Sequence, residues 1–346
     1  MSVTNQYSGA GVYALNLIRE FNSHDDFNFI IFCGTKIKQA LEKLNLKTNF
    51  ELYYCPFKNN FGRILFEQMK IPELLKKKEN LLLHSFSNIL PVFFPGIPYI
   101  LTLHDVMFKI YPERYGSLKS LYYNYFVSRS IILARLIIAP TISSKNDIMK
   151  FFSVASEKIK VIPYSGNEFL TKEIPVEIEE KIKRKYIGSK KFFLFTGSRE
   201  PGKNIDFLYE LMKYFPEYHL FIAGGKGWKT SYENQNNITL VENLTNCELS
   251  VFYKYSLIFL YPSIYEGVGL PVFEAKYFGK PIICSDYPAA HEIISKDRLF
   301  PLEKNLWIDE IKRIIETKNF YIDYRQTFAW KKHADSLIEI YKQFST

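Results

Sequence analysis

The sequence predicts an α/β fold of two doubly wound domains in tandem, and three observations carry that reading. Short apolar runs alternate with helical segments through both halves, the arrangement that builds parallel sheets with crossover helices. Most of these runs are continuously apolar instead of alternating, as strands covered on both faces must be. A stretch without periodicity, Pro163–Pro175, carries Pro, Gly, Ser and Asn and separates the two series.

The strand candidates of the first half are Phe27–Cys33, Phe50–Tyr54, Leu81–His84, Tyr99–Leu103, Leu136–Ala139 and Lys160–Ile162. Helical patterns lie between them, among them Gly11–Phe21 and Leu118–Leu133, with Ser8–Gly11 read as a loop ahead of the first helix. The second half repeats the rhythm with Phe192–Thr196, His219–Ala223, Ile238–Val241, Leu257–Tyr261, Pro281–Cys284 and Leu299–Phe300. The domains expected are residues 1–165 and 166–325, followed in 326–346 by a helix that packs back across the first. Such a pair sets the carboxyl ends of its strands around one cleft, where folds of this kind bind ligands.

Composition narrows the class. With 346 residues, 47% of them hydrophobic and 17% aromatic, the chain can bury two cores and is not disordered. No apolar stretch reaches the roughly 20 residues that a spanning helix needs. Met1–Gln6 is too polar for a signal peptide, and Cys33, Cys55, Cys247 and Cys284 show no paired spacing. A reducing, cytoplasmic setting is the expectation.

The net charge of +9 is uneven, with 20 Lys+Arg and 13 Asp+Glu in residues 1–170 against 25 and 23 in the remainder. A basic first half suits an anionic partner such as membrane phospholipid or a lipid diphosphate, and equally an ordinary solvated surface. Tyr111–Arg135 mixes apolar and basic residues and reads either as a segment lying on an anionic membrane or as a core-facing helix. Nucleic acid is not an expected partner, because the basic residues are diffuse and no reader motif occurs.

The most informative segment is Tyr261–Ala275, where a strand ends, a loop carries Glu266, Gly267 and Gly269, and Pro271 is placed to open a helix. Glu274, eight residues after Glu266, falls in the first helical turn on this reading. Free amides and the positive end of the helix dipole suit a diphosphate, and two carboxylates suit sugar hydroxyls. An ordinary strand–loop–helix with an acidic first turn fits the same spacing.

Glu266 and Glu274 with GVGLP between them resemble the E-x7-E signature of the retaining GT-B glycosyltransferases of family 4. The likeness extends to Phe195–Asn204, Leu220–Trp228, Glu242–Tyr255 and Phe278–Ser285. It implies the GT-B fold, two Rossmann-like doubly wound domains facing a central cleft. It also implies transfer, with retention, of a sugar from a nucleotide-diphosphate donor to a glycan or lipid-linked saccharide acceptor.

By that resemblance Glu266 contacts the donor sugar, and Glu274 holds the ribose. The amides of Gly267, Val268, Gly269 and Leu270 take the distal phosphate. Lys203 neutralises the diphosphate, with Arg199 as its candidate partner. Val268 stands where the family usually has Phe. His104 and Asp105, after an apolar strand, match a family His-Asp near the reacting sugar, Asp105 orienting His104. Gly9 and Gly11 match a Gly-rich first loop that contacts donor or acceptor. No Asp-x-Asp occurs, so no metal or other cofactor is expected.

One departure stands out: the family opens with a strand, and Met1–Gln6 is too short and polar to supply it. The rival reading is therefore a catalytically silent relative that binds glycan or nucleotide. The expected location is the cytoplasm, on the inner face of the cell membrane.

Overall fold

The computed structural model describes residues 9–55, 60–93, 96–226, 232–317 and 330–344. The chain divides into two compact units, Met1–Tyr164 with Phe328–Thr346, and Ser165–Thr327.

In the first unit, helix α1 (Gly9–Phe21) is followed by strands β1 (Phe29–Gly34), β2 (Phe50–Cys55), β3 (Leu83–Ser85) and β4 (Tyr99–Thr102). Helix α2 (Ser117–Leu133), β5 (Leu136–Ala139) and β6 (Ile159–Val161) come after β4, with further short helices between the strands. All pairings are parallel, in two pieces: β1 with β2, and β3-β4-β5-β6. β1 and β3 both line one largely apolar groove of about 160 Å³, with Ile18 and Phe21 of α1 beneath it. Met1–Gln6, read above as unable to form a first strand, lies outside the described residues.

α1 begins at Gly9, so Gly9 and Gly11 are helical residues and not the loop expected from the sequence. Two glycines in a first turn cost roughly 1 kcal/mol each relative to Ala. Burial of Tyr13, Ala14, Leu17, Ile18 and Phe21 on one face offsets this cost.

The C-terminal helix Trp330–Phe344 packs on α1 within the first unit. His333 Nδ1 lies 3.1 Å from the Pro163 carbonyl, which can only accept, so Nδ1 carries the proton. Nε2 then accepts from the Tyr13 hydroxyl at 2.9 Å, leaving the Tyr13 oxygen to accept from Thr102 at 3.4 Å. Thr102 in turn accepts from His84 Nε2 at 2.8 Å, and His84 Nδ1 accepts from Tyr341 at 2.6 Å. The chain satisfies every member with neutral imidazoles. Burial, the largest cause in both, lowers the basicity of His84 and His333, the latter to about 4.

The second unit holds β7 (Phe192–Thr196), β8 (His219–Ala223), β9 (Ile238–Val241), helix α3 (Asn246–Tyr255) and β10 (Ile258–Tyr261). Helix α4 (Leu270–Tyr277), β11 (Ile282–Ser285) and β12 (Leu299–Phe300) follow. Its parallel sheet has the order β12-β11-β10-β7-β8-β9. That is the doubly wound order in which the direction of winding reverses between the first and fourth strands, here β7 and β10. β7, β8, β10 and β11 are buried residue for residue, which is why their sequences are continuously apolar. Each large side chain so buried contributes about 1.5–3 kcal/mol.

The sequence expectation of two parallel α/β domains is borne out, and each strand candidate becomes a strand shifted by at most a few residues. Cys33, Cys55 and Cys284 are free and buried, and Cys247 is free and half-buried.

Candidate functional site

Ligands of doubly wound sheets bind beyond the carboxyl ends of the strands where the winding reverses. In the second unit the loops leaving β7 and β10 meet there. The first carries Lys203 at the end of the turn Pro201–Lys203, followed by Asn204 at φ +53°. The second carries Ser263 and Glu266. Lys203 Nζ lies 2.5 Å from Glu266 Oε1 and 3.0 Å from the Tyr261 hydroxyl, which also donates to Glu266 Oε1 at 3.0 Å. The Ser263 hydroxyl donates to the same oxygen. The ion pair is largely shielded, with the two side chains 16% and 13% exposed. Burial first, and the Glu266 charge second, raise the Tyr261 phenol well above its ordinary range, so it remains a donor.

Helix α4 begins one residue earlier than expected, at Leu270, because Gly269 takes the N-cap in the left-handed region at φ +87°. No side chain caps the helix, Pro271 has no amide hydrogen, and the Val272 amide bonds to the Gly269 carbonyl at 3.0 Å, so the helix start offers an anion its dipole and the Leu270 amide. A Cβ on Gly269 would meet the Tyr287 hydroxyl at 2.3 Å. Gly267, Val268 and Gly269 are buried, and Leu270 is half-buried.

Glu274 is the fifth residue of α4, past the first turn, which corrects its expected place within that turn. Its carboxylate is buried and accepts from the Tyr253 hydroxyl at 2.7 Å and from the Asn167 backbone. Tyr253 also meets Thr196 at 2.7 Å. A capping box fixes α3 and hence Tyr253: Thr245 accepts from the Glu248 amide, and Glu248 accepts from the Thr245 amide. Burial raises the Glu274 pKa to about 7 against the opposing effects of Tyr253 and Asn167.

Arg199 lies in the same loop after β7 as Lys203. Its buried guanidinium donates to the Gly224 carbonyl at 3.1 Å and pairs with Glu242, tying the loop after β7 to those after β8 and β9. Glycine is required there, since a Cβ on Gly224 would lie 2.0 Å from the Gly197 carbonyl oxygen.

In the first unit, His104 and Asp105 follow β4. His104 Nε2 is 2.9 Å from the Phe86 carbonyl and must donate, so Nδ1 accepts from Tyr164 at 2.9 Å. Both ring nitrogens are thus engaged, and burial lowers the pKa to about 4. Asp105 accepts from the Met107 amide at 2.9 Å, so the orientation of His104 comes from Phe86 and Tyr164 and not from Asp105.

The structure thus brings Lys203, Glu266 and the 267–270 loop together. Sequence reading missed Tyr253, Tyr261, Ser263 and the segment Gly166–Asn167. Tyr261, a polar-tipped residue closing an apolar strand, carried a usable signal. Gly166 did not, although a Cβ there would stand 2.9 Å from Phe273. Among the described residues no group of three or more His, Cys, Asp or Glu could hold a metal ion, and no helix is long and apolar enough to cross a membrane.

Comparison with known proteins bears on family and fold. Residues 7–164 match the model of glycosyltransferase family 4, and residues 177–329 that of glycosyl transferases group 1. The O-antigen chain mannosyltransferase RfbU of Salmonella typhimurium is 28% identical over 228 residues, 62% of this chain and 60% of that protein. The chain therefore spans under two thirds of that relative's length. The O-antigen chain mannosyltransferase B of Escherichia coli is 22% identical over 316 residues, covering 83% and 81%. Among solved structures, sucrose-phosphate synthase from Thermosynechococcus elongatus superposes with a TM-score of 0.75 at 17% identity over 98% of this chain and 94% of that one. Anabaena HepE in complex with UDP-glucose gives 0.69 at 16% identity over 99% and 97%. With two family models matched in order along its two units, the chain belongs to the group 1 glycosyl transferases, built on the GT-B fold.

Proposed function

We propose that this protein transfers a hexose from a nucleotide-diphosphate sugar to a glycan or lipid-linked saccharide acceptor, in the assembly of a surface polysaccharide. The observation that carries the reading is the pairing of Lys203 with Glu266 beside the uncapped end of α4. In transfer, positive charge grows at the anomeric carbon and negative charge on the departing diphosphate. Prearranged donors and cations around that diphosphate supply the largest stabilisation. Lys203 and the Leu270 amide at the positive end of α4 are such groups. When a diphosphate takes Lys203, Glu266 loses its cation and is left to accept from hydroxyls of the donor sugar. Glu274 has lone pairs beyond those used by Tyr253 and Asn167 and would take the ribose hydroxyls. The leaving-group charge is carried by the protein's own cation and amides in this reading, with no metal. The diphosphate leaves the anomeric carbon and the acceptor hydroxyl attacks that carbon on the same face, giving its proton to the departing phosphate oxygen, so configuration is retained and no nucleophilic side chain is required.

The relatives named as O-antigen mannosyltransferases put mannose first among candidate sugars. Incubating the purified protein with a panel of uridine and guanosine diphosphate sugars, with and without saccharide acceptors, tests the reading. Release of free nucleotide diphosphate from one donor, faster with acceptor, is expected; release from none contradicts it. A second reading, nucleotide binding without turnover, is favoured by the engagement of both His104 nitrogens. Tight nucleotide binding with no release from any donor would select it.

A further inference from the structure

Helix α2 turns an apolar stripe outward. Its buried side is Val127, Ser130 and Ile131. Leu118, Leu121, Tyr125 and Ile132 are exposed, the first at 86%, and with Arg129 they fall within about 80° of arc at 3.6 residues per turn. The stripe is not isolated. Ser130 accepts from the Leu90 amide at 2.8 Å, while Gln68 donates to the Leu90 carbonyl at 3.0 Å and accepts from the Val92 amide at 2.8 Å. Tyr122 lies beside Arg63. These contacts place the exposed Leu65, Met69 and Phe93 on elements that flank α2.

Basic residues dominate the stretch that carries the stripe, with the exposed Glu113 at its edge. From Arg114 to Asn146 the sequence holds five Lys or Arg and no Asp or Glu. Lys119, Arg129 and Arg135 are exposed, and the neighbouring Glu67 is buried beside Arg63. We infer that this face of the first unit docks on an anionic phospholipid bilayer, with α2 in the interfacial plane, its leucines among the acyl chains and its basic residues at the headgroups. A symmetric pairing of two copies through the same patch would set like charges against each other, which disfavours self-association as the cover. The inference does not rest on the proposed transfer, since vesicle binding reads no chemistry.

Flotation of the full chain with phosphatidylglycerol–phosphatidylcholine vesicles, and with pure phosphatidylcholine vesicles, tests it. The wild type is expected on the anionic vesicles at least tenfold over the neutral ones, with release as salt rises. Leu118→Glu/Leu121→Glu should abolish flotation, and Lys119→Ala/Arg129→Ala should weaken it about tenfold. Both pairs should keep a cooperative melt and unchanged nucleotide affinity, since every position is exposed; the Lys119 ammonium sits 5.2 Å over the Tyr115 ring, so that pair should lower the midpoint slightly. Wild-type protein that stays off anionic vesicles, variants that float like the wild type, or a wild-type dimer that the leucine pair dissociates would each overturn the inference.

Discussion

The Lys203 ammonium stands 2.5 Å from Glu266 Oε1, across the point where the second unit's sheet reverses its winding. Without a ligand the cation is neutralised by the carboxylate assigned to the donor sugar. Diphosphate and Glu266 therefore compete for one ammonium, so affinity and turnover should respond differently to loss of Glu266. Glu266→Ala releases Lys203, so nucleotide-diphosphate affinity should hold or improve while turnover falls by a hundredfold or more. Calorimetric titration beside steady-state kinetics checks the split. A Glu266→Ala enzyme with normal turnover counts against its contact with the sugar.

Glu274 sets a pH dependence. Its carboxyl has a pKa of about 7 in the folded protein. Ribose hydroxyls donate to the ionised form, so nucleotide affinity should rise as pH increases through 7. In Glu274→Gln the dependence should be flat and the affinity weak. For folding, the raised pKa means the native state keeps a proton that the unfolded chain loses. Stability is therefore full below about 4.5 and falls as pH rises through 7, by on the order of 3 kcal/mol at most. Denaturant titrations at pH 5 and pH 8 measure the loss, and Glu274→Gln should remove it.

The buried imidazoles act in the opposite direction. His104 and His333 have folded pKa values of about 4, below the ordinary 6.5, so the native state binds fewer protons than the unfolded chain between those values. Their stabilisation is present above 6.5 and lost as pH falls toward 4. The first unit should unfold before the second on acidification, which tryptophan emission from Trp330 and hydrogen exchange can follow. Tyr13→Phe removes the link between Thr102 and His333, leaves a buried acceptor unpaired, and should cost about 1–3 kcal/mol.

Two glycines should resist substitution for different reasons. Gly224→Ala drives a Cβ against the Gly197 carbonyl, backbone on backbone, and should prevent folding of the second unit. Gly269→Ala meets only the Tyr287 hydroxyl but strains a φ of +87°, so the protein should fold with weakened nucleotide binding. Adding Tyr287→Phe should restore part of that binding by removing the opposing hydroxyl. Circular dichroism and nucleotide titration distinguish the two cases.

Local pattern carried much of this structure. The strands were legible because sheets covered on both faces need unbroken apolar runs, and Gly269-Leu270-Pro271 marked the start of α4 to within a residue. Pairings across long separations were not legible. The pairing of Arg199 with Glu242, 43 residues on, is one of them. Asp105 looked like the partner of His104 because it is adjacent, whereas Phe86 and Tyr164 hold the ring from other elements. Gly166 and Asn167 read as linker, yet they lie against Glu274 because only a glycine permits that approach to Phe273.

The most direct test is calorimetric titration of wild type and Lys203→Ala with uridine and guanosine diphosphate. A charge-assisted bond lost from a shielded site should weaken binding roughly ten- to hundredfold. Saturable binding of one nucleotide by the wild type, weakened by that factor in Lys203→Ala, is the predicted result. No binding of either nucleotide, or equal affinity in the two proteins, would contradict a diphosphate site built on Lys203.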